Sequence, residues 1–416
     1  MDFTSLSIGE NIGEEKEKIK MKLGDIVEME ITGVAFGGSG CGRVDNKVIF
    51  VPYTAEGDVI RCEITDMRAR YARGIIKDIL KPSPYRAVPR CNVYGSCGGC
   101  CYQHIIYEHQ LALKEKQVRE TFQRIGKLPL FFMRPIIKSP QSYHYRLKAD
   151  FHVIRKNKGT FLTGLMSRGS NEITSVTRCE IVDEKINRHY QNWQEDLRRN
   201  HRGFSHDRVV FWAEEADTSS KNGGDAFIFQ EVCQKVLLTP RNGFFQANQS
   251  LLPEMITTVK EITGLQEGET VIDGFCGSGL FAFFLSSCSR VVYGIEGDKQ
   301  AIHAARENMK HYRCDNVILR QEDMTAGLEK MIHNDIHPDV LIIDPPRTGC
   351  KSNLIEQIIR LAPKRIVYIS CNPATQARDV CLLCDGIFHL EFLQPMDMFP
   401  HTAHIEVVAL LTRKVL

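Results

Sequence analysis

One segment constrains the fold of this chain more than any other: an apolar run that ends in a glycine-rich turn at 271–279. It reads Val-Ile-Asp-Gly-Phe-Cys-Gly-Ser-Gly and leads into a helix-like stretch, and the next strand-like run, at 291–295, ends in Glu296. Glycines let the backbone approach a ligand, and an acid about twenty residues further on accepts hydrogen bonds from ribose hydroxyls. The spacing departs from the dinucleotide fingerprint, and no lysine and hydroxyl pair follows as in a phosphate-binding loop. We therefore predict a strand, turn and helix that bind an adenosine-containing ligand.

From Phe244 to the end of the chain, strand-like and helix-like runs alternate. This alternation predicts an α/β domain with a doubly wound parallel sheet, whose ligands bind beyond the carboxyl ends of the strands. Asp323 and Asp344 each follow a strand-like run, and two prolines come directly after Asp344. Because prolines stop a strand and fix the backbone, we expect the Asp344 carboxylate to be held rigidly at the ligand edge.

A possible nucleophile and a possible base lie near the C-terminus. Cys371 follows the apolar run 366–369, so its thiol is expected where a buried strand ends. Glu406 leads into the apolar run 407–411, where a lone carboxylate is out of place unless it is paired or functional. Together they suggest covalent catalysis. Free cysteine also packs as a small hydrophobe, so an inert buried thiol is the alternative for Cys371 taken alone.

The N-terminal part has a different pattern. Residues 22–80 alternate apolar and polar side chains over short segments separated by turns, which predicts a small β-barrel. Because the formal net charge of the chain is only +2, any affinity for phosphates must come from a local patch. The candidate patch comprises Arg68, Arg70, Arg73 and Lys77, and the alternative is an ordinary solvated face.

The segment 91–104, called the cysteine loop below, carries the sharpest metal signal. Cys91, Cys97 and Cys100 follow the pattern C-x5-C-x2-C, and Cys101 is a competing neighbour. The chain has 15 cysteines but no apolar signal peptide and no long apolar span, so we expect a reduced, cytosolic environment and no membrane association. Thiolates at this spacing suit zinc or an iron–sulfur cluster, and the spacing leaves both open.

The length of the chain allows several domains with a sizeable core. We expect a mobile polar tail at 1–20, the barrel at 21–81, and an α/β domain at 244–416. Between them, 82–243 is expected to hold the cysteine loop, a linker helix and a central β-rich domain.

Four segments, in the same order and at plausible spacing, resemble the S-adenosylmethionine-dependent uracil-5 RNA methyltransferases. They are Asp-Gly-Phe-Cys-Gly-Ser-Gly at 273–279, Asp-Pro-Pro-Arg at 344–347, Ser-Cys-Asn-Pro-Ala-Thr at 370–375 and Asp-Met-Phe-Pro-His-Thr at 397–402. The resemblance extends over nearly the whole chain. It implies a Rossmann-like methyltransferase domain preceded by an OB-like TRAM barrel, which binds RNA, and by a central β-rich domain.

The resemblance also implies a role for particular residues. Contacts with S-adenosylmethionine are implied for Gln246, Phe275, Glu296, Asp323 and Asp344. A 4Fe–4S cluster is implied on Cys91, Cys97, Cys100 and the distant Cys179. Cys371 is implied to add to carbon 6 of uracil, so that carbon 5 accepts a methyl group, and Glu406 then removes the proton on carbon 5. Many relatives have an asparagine where this chain has Leu280, which is therefore a weak cofactor contact at best.

RNA is the implied partner, with 23S ribosomal RNA as the first expectation and tRNA as the alternative. The target base must be unstacked to reach the site, and Arg146 and Lys148 are candidate phosphate contacts, with surface charges as the alternative. No protein partner is evident, so we expect a cytoplasmic monomer. Three other classes of protein are alternatives. A nucleic-acid N-methyltransferase would need neither Cys371 nor Glu406, and an iron–sulfur redox enzyme would use the cysteines to carry electrons. A non-catalytic RNA-binding module would leave the C-terminal half without a purpose.

Overall fold

The structure of the protein, a computed structural model, describes residues 21–156, 160–200, 208–213 and 226–414. The predicted tail at 1–20 lies outside these residues. Within them, no helix is both long enough and apolar enough to cross a membrane.

Six strands form the N-terminal sheet. They are β1 (Ile26–Glu30), β2 (Gly33–Val34), β3 (Ser39–Val44), β4 (Lys47–Pro52), β5 (Val59–Met67) and β6 (Tyr71–Lys81). They pair in the order β1-β5-β6-β4-β3-β2. Alternate side chains on a strand point to opposite faces, and one face packs Met29, Ile49, Ile60 and Ile64 into a common core. The alternating pattern therefore forms the predicted OB-like barrel.

The cysteine loop follows as turns and isolated bridges, and helix α1 (Tyr107–Arg124) and the short strand β7 (Phe132–Met133) come after it. The central β-rich part comprises β8 (Lys148–Arg155), β9 (Phe161–Met166), β10 (Ile173–Ser175), α2 (Glu184–Asn200), β11 (Arg208–Trp212), and the hairpin strands β12 (Phe227–Val232) and β13 (Lys235–Pro240). Four of these strands form an antiparallel sheet in the order β10-β9-β8-β11. Helix α2 covers one face of this sheet, because Ile186 and Tyr190 pack with Phe151 and Phe211.

The C-terminal part contains the largest sheet. Its further strands are β14 (Thr270–Gly274), β15 (Val291–Glu296), β16 (Val317–Gln321), β17 (Val340–Ile343), β18 (Arg365–Ser370), β19 (Phe388–Met396) and β20 (Glu406–Arg413). Its helices are α3 (Leu252–Thr263), α4 (Leu280–Ser286), α5 (Lys299–Tyr312), α6 (Met324–His333), α7 (Ser352–Leu361) and α8 (Pro373–Asp385). The eight strands pair in the order β16-β15-β14-β17-β18-β20-β19-β7.

This sheet is the predicted Rossmann-like core, with one difference from a wholly parallel sheet. Strands β14 to β18 are parallel, and β17 is buried along its whole length, as expected of a strand covered on both faces. Strand β20, however, runs antiparallel to both β18 and β19. The reason is the short connection at 397–405, since a parallel strand needs a crossover of about a dozen residues or more.

Two elements from before the α/β segment also join its core. Val118 and Phe122 of α1 pack in the same apolar cluster as Ile366 and Leu383. Strand β7 adds to the sheet edge beside β19. The linker helix therefore physically connects the cysteine loop to the C-terminal sheet.

Candidate functional site

A cavity of about 1080 Å³ opens at the carboxyl ends of the parallel strands and extends to the cysteine loop. It brings together nearly all of the residues that the sequence singled out. The lining includes Gln246, Phe275, Glu296, Asp344, Cys371 and Glu406, together with Cys91, Cys97, Cys100 and Cys179. The ends of β14, β15, β17 and β18 meet here because parallel strands present their carboxyl ends at one edge of the sheet.

Cys371 and Glu406 are placed by the register of β18 and β20. Ser370 and Val407 are the last pair of this antiparallel ladder, so Cys371, directly after Ser370, and Glu406, directly before Val407, lie at the same end of it. The Glu406 side chain is buried, with 3% of its surface exposed. The pKa of Cys371 is raised to about 11, first by burial and then by the neighbouring Glu406 carboxylate, while the Arg347 guanidinium lowers it. The two candidate catalytic groups are therefore close enough for the charge of Glu406 to affect the pKa of Cys371.

A second acid, Asp344, lies beside this pair. It follows β17 directly, and the side-chain amide nitrogen of Gln246 donates to its Oδ2 at 3.1 Å. Burial raises the pKa of Asp344, and burial followed by the Asp344 charge raises the pKa of Glu406 well above its ordinary value. The site thus holds two carboxyl groups that each favour the protonated form of the other.

The glycine-rich turn after β14 has the backbone geometry of a close ligand approach. Phe275, Gly277 and Gly279 all have positive φ angles, of 59°, 54° and 81°. A Cβ atom added at Gly277 would meet no atom within 4 Å, so the space beside its backbone is open. Glu296, at the end of β15, is fixed next to this turn, because the Gly277 and Asp298 backbone N–H groups donate to its carboxylate at 2.9 and 2.7 Å.

Two positions from the sequence analysis lie elsewhere. Asp323 is absent from the lining of this cavity; it is the N-cap residue of α6 and accepts from the Thr325 backbone N–H at 2.9 Å. Leu280 begins α4 and packs in the apolar core with Met309. The N-cap hydrogen bond gives the Asp323 side chain a structural role that needs no ligand. A cofactor role for Asp323 therefore stays a prediction.

Two family models match the chain. The model described as tRNA (uracil-5-)-methyltransferase matches residues 232–414, and the model of the TRAM domain matches residues 20–77. The chain is also 30% identical to an uncharacterized RNA methyltransferase of Listeria innocua, over 95% of this chain and 99% of that protein. The chain belongs to the uracil-5 RNA methyltransferase family. The prediction of an S-adenosylmethionine-dependent RNA methyltransferase is thereby confirmed.

Other proteins agree with this assignment. An uncharacterized RNA methyltransferase of a Synechocystis strain is 28% identical to this methyltransferase over 93% of this chain and 96% of its own length. Among solved structures, the tRNA (uracil-54, C5)-methyltransferase of Pyrococcus abyssi, in complex with S-adenosyl-L-homocysteine, superimposes with a TM-score of 0.68. That match has 23% identity and covers 93% of this chain and 100% of the other. It shows that the two proteins share a fold.

Sequence reasoning gave no role to Arg347 of this methyltransferase, although Arg347 lies within the Asp-Pro-Pro-Arg segment. Its guanidinium lowers the pKa of both Cys371 and Glu406, and its Nη2 lies 3.4 Å from Nε2 of His404. Its backbone carbonyl accepts from the Asn372 amide at 3.0 Å. The one signal in the sequence was a cation directly after a strand-ending acid and two prolines.

The four predicted cluster ligands of the methyltransferase face the same cavity. Burial raises the pKa of Cys100, and the nearby thiols of Cys179 and Cys97 raise it further. Cys101 instead packs in an apolar group with Val34. Among the residues that the structure describes, however, no group of three or more His, Cys, Asp or Glu side chains has metal-ligand geometry. The thiols are therefore neighbours, and a bound metal stays a prediction.

Most of the predicted phosphate contacts are engaged within the protein. Lys148 Nζ donates to the Gly243 carbonyl at 2.6 Å, and Arg146 Nε donates to the Lys148 carbonyl at 3.0 Å. In the barrel, Arg68 pairs with Asp66 and Lys77 pairs with Glu63. Because these cations have partners, the barrel patch is less basic than its sequence indicates.

Proposed function

We propose that this enzyme methylates carbon 5 of a uridine in RNA through a transient covalent bond between Cys371 and carbon 6 of the base. The observation that carries the proposal is that Cys371 and Glu406, which flank the last pair of the β18–β20 ladder, line one cavity together with Glu296. Carbon 5 of uracil is a weak nucleophile, and addition of a thiolate to carbon 6 raises its electron density.

Each charged group has a task in this scheme. Cys371 is largely protonated at neutral pH because its pKa is about 11, so the thiol must first give its proton to solvent. The Arg347 guanidinium then stabilises the thiolate as it attacks carbon 6. After carbon 5 has accepted the methyl group, Glu406 takes the proton from carbon 5, and the bond between Cys371 and carbon 6 breaks. The raised pKa of Glu406 makes its carboxylate a stronger base than an exposed glutamate.

The residues around the glycine-rich turn fit S-adenosylmethionine, which supplies the methyl group when it is bound. Glu296 would hold the ribose hydroxyls, since its carboxylate is oriented by two backbone N–H groups and keeps further acceptor capacity. Phe275, with its positive φ, and the bonded pair of Gln246 and Asp344 complete the proposed pocket. Asp323, an N-cap outside the cavity lining, is the weakest of the proposed contacts.

RNA containing 5-fluorouridine tests the covalent mechanism. Fluorine at carbon 5 blocks the final proton removal, so the wild-type enzyme is expected to form an adduct that survives denaturing gel electrophoresis. The Cys371→Ala variant is the control and should form none. On ordinary RNA, Glu406→Gln should accumulate the adduct, because it keeps the shape of the side chain and removes the base. A wild-type enzyme that methylates RNA without any adduct on the fluorinated substrate would exclude this mechanism.

We also propose a 4Fe–4S cluster on Cys91, Cys97, Cys100 and Cys179. Four thiols that line one cavity are a suitable donor set, and burial opposes their ionisation unless a positive centre stabilises the thiolates. Zinc satisfies the same donors and is the alternative. The proposed role is structural, since methyl transfer moves no net electrons. Anaerobically purified protein that is colourless and contains stoichiometric zinc would reject the cluster.

The first proposed substrate is 23S ribosomal RNA, on account of the barrel combined with the cysteine loop. A tRNA is the second, and the Pyrococcus abyssi tRNA (uracil-54, C5)-methyltransferase favours it, since that enzyme has the same fold. We further propose a monomer in the cytoplasm: one chain provides both candidate catalytic residues, and none of the 15 cysteines forms a disulfide. Mapping 5-methyluridine in both RNAs from cells with and without the protein separates the two substrates, and light scattering measures the assembly.

A further inference from the structure

The loop between β19 and β20, residues 397–405, leads directly into Glu406 and is called the base loop here. It lies against the cysteine loop, because the His401 carbonyl accepts from the backbone N–H groups of Cys101 and Tyr102, both at 3.0 Å. The Tyr145 hydroxyl also donates to the Pro400 carbonyl at 3.0 Å. The candidate base is therefore attached to a segment that is hydrogen bonded to the cysteine loop.

Gln110 of α1 bonds to both loops with one side chain. Its Oε1 accepts from the His401 backbone N–H at 3.1 Å, and its Nε2 lies 3.0 Å from His401 Nδ1. The same nitrogen is 3.1 Å from the Tyr102 carbonyl and 2.7 Å from the Ile105 carbonyl. The two N–H groups of Nε2 are shared among these three acceptors. Because Gln110 is completely buried, its hydrogen bonds are made away from water and are costly to lose.

Lys114, one helical turn further along α1, holds the start of the same loop. Its Nζ donates to Asp397 Oδ1 at 2.6 Å and to the Phe399 carbonyl at 3.0 Å. Both side chains of this ion pair are completely buried. A buried ion pair is weak evidence for stability, because the cost of desolvation offsets much of the attraction, and such pairs instead specify one arrangement of the segments that they join.

The backbone of the base loop also needs this support. His401 has a φ of 63°, in the left-handed region that costs a non-glycine residue free energy. Its ring packs on Tyr143, with ring centroids 4.1 Å apart, and the Arg90 guanidinium lies 4.3 Å from the centroid of Tyr143. A conformation of this kind persists only where the surroundings hold it in place.

We propose that Gln110 and Lys114 are positioning residues for Glu406, through which α1 holds the cysteine loop and the catalytic base in one relative placement. This inference rests on the proposed function, because it assigns the effect of both residues to the proton-removal step. A displaced base slows proton removal after the bond between Cys371 and carbon 6 has formed. The specific signature is therefore a covalent enzyme–RNA adduct that accumulates on ordinary uridine.

The test uses the full-length enzyme with the Gln110→Met variant, which removes the amide at similar volume. Gln117→Met is the matched control, since Gln117 is a buried glutamine on the same helix whose amide bonds to the Val34 carbonyl and the Tyr102 hydroxyl. Gln110→Met should lower turnover on the order of 10- to 100-fold, accumulate the adduct and leave S-adenosylmethionine affinity unchanged. Gln117→Met should lower the thermal midpoint without accumulating the adduct.

His401→Gly changes the same contact from the other side and provides a second variant if Gln110→Met does not fold. Glycine accepts the positive φ of this position and removes only the ring, so the adduct should accumulate here too. The positioning role would be overturned if the Gln110 and Gln117 variants behaved alike. In that case neither would accumulate the adduct, and the activity of each would follow its folded fraction. A wild-type enzyme that forms no adduct on 5-fluorouridine RNA would instead refute the proposed function itself.

Discussion

The catalytic edge (Phe275, Glu296, Asp344, Cys371 and Glu406) and the cysteine loop face one cavity but are built differently. Strand ends and sheet register position the catalytic edge. The cysteine loop has only turns and isolated bridges, and long-range bonds hold it: Tyr53 donates to the Gly95 carbonyl at 2.7 Å, and the Gly98 N–H donates to the Met166 carbonyl at 2.9 Å. The geometry of the catalytic edge thus comes from a regular sheet, whereas the cysteine loop depends on contacts with three separate parts of the chain: the barrel, strand β9 and the base loop.

The two regions also differ in electrostatics. Burial raises the pKa of Asp273, below the glycine-rich turn, to about 7, and Asp344 and Glu406 are shifted in the same direction. In the cysteine loop, burial lowers the pKa of His104 to about 4, and in the adjacent base loop it lowers that of His401 to about 3. The catalytic edge and the turn beside it therefore hold buried acids with raised pKa values, whereas the cysteine loop and the base loop hold buried histidines that stay neutral.

The largest expected effect comes from the catalytic edge. Cys371→Ala removes the nucleophile and should lower methyl transfer on the order of 10⁴-fold or more. Because the register of β18 and β20 does not depend on this thiol, folding and cofactor binding should stay nearly unchanged. Cys381→Ala, at a partly exposed cysteine on α8, is the control and should keep full activity in a methyl-transfer assay. Methylation by Cys371→Ala at a rate near that of the wild type would contradict the proposed nucleophile.

The next largest effect tests whether the cysteine loop depends on the proposed cluster. Cys179→Ala should lose iron and sulfide and unfold at lower temperature, because the proposed cluster joins two segments that are distant in sequence. Cys101→Ala changes the cysteine that packs in the apolar group with Val34, and this variant should keep its iron and sulfide. Iron and sulfide analysis with thermal melting gives the result. Loss of the cluster in the Cys101 variant, or its retention in the Cys179 variant, would reverse the assignment.

A smaller effect distinguishes the two regions by pH. The pKa of His104 is about 4 in the folded protein, against an ordinary value of 6.5. As pH falls through this window the unfolded chain binds a proton that the folded protein does not, so the free energy of unfolding decreases. Between pH 6.5 and about pH 5 this amounts to about 2 kcal/mol. Urea unfolding should therefore show that the free energy of unfolding decreases more over this pH range in the wild type than in His104→Gln.

Asp273 should show the opposite sign. Its pKa is about 7 when folded, above the ordinary 3.8, so its folded state binds the extra proton and stability decreases as pH rises from about 4 to 7. In Asp273→Asn the amide oxygen still accepts from the Ala282 N–H, a bond of 2.8 Å in the wild type, and this pH dependence should disappear. If the free energy of unfolding changed with pH in the same way in wild type, His104→Gln and Asp273→Asn, the two regions would not differ in the pH dependence of their stability.

The last predicted effect, similar in size to that of His104, concerns the cofactor. Glu296→Ala should weaken S-adenosylmethionine binding by about 2 kcal/mol, as expected for the loss of hydrogen bonds to a charged acceptor. RNA binding should change little, because Glu296 belongs to the strand end beside the glycine-rich turn. Calorimetry with S-adenosylmethionine measures the change. The exposed Asp323→Ala is a useful comparison: a cap should affect stability alone, and an equal loss of affinity would restore Asp323 to the cofactor site.

Local pattern was enough to predict the elements of the catalytic edge. The glycine-rich turn, Glu296 at a strand end, and Cys371 and Glu406 beside apolar runs all follow from short-range periodicity and from the chemistry of each residue type. The barrel followed from its alternating segments in the same way. These features need no knowledge of distant contacts, because strand ends and turns are encoded within a few residues.

Only the tertiary structure decided which of these residues meet. The opposition of Cys371 and Glu406 depends on how β20 enters the sheet, and the separation of Cys101 from Cys100 depends on the apolar group around Val34. Lys114 and Asp397 are 283 positions apart, and neither has a local signal that predicts its partner. The physical reason is that a buried polar contact between distant segments depends on the packing of whole elements, whereas a strand or a turn depends on its own residues.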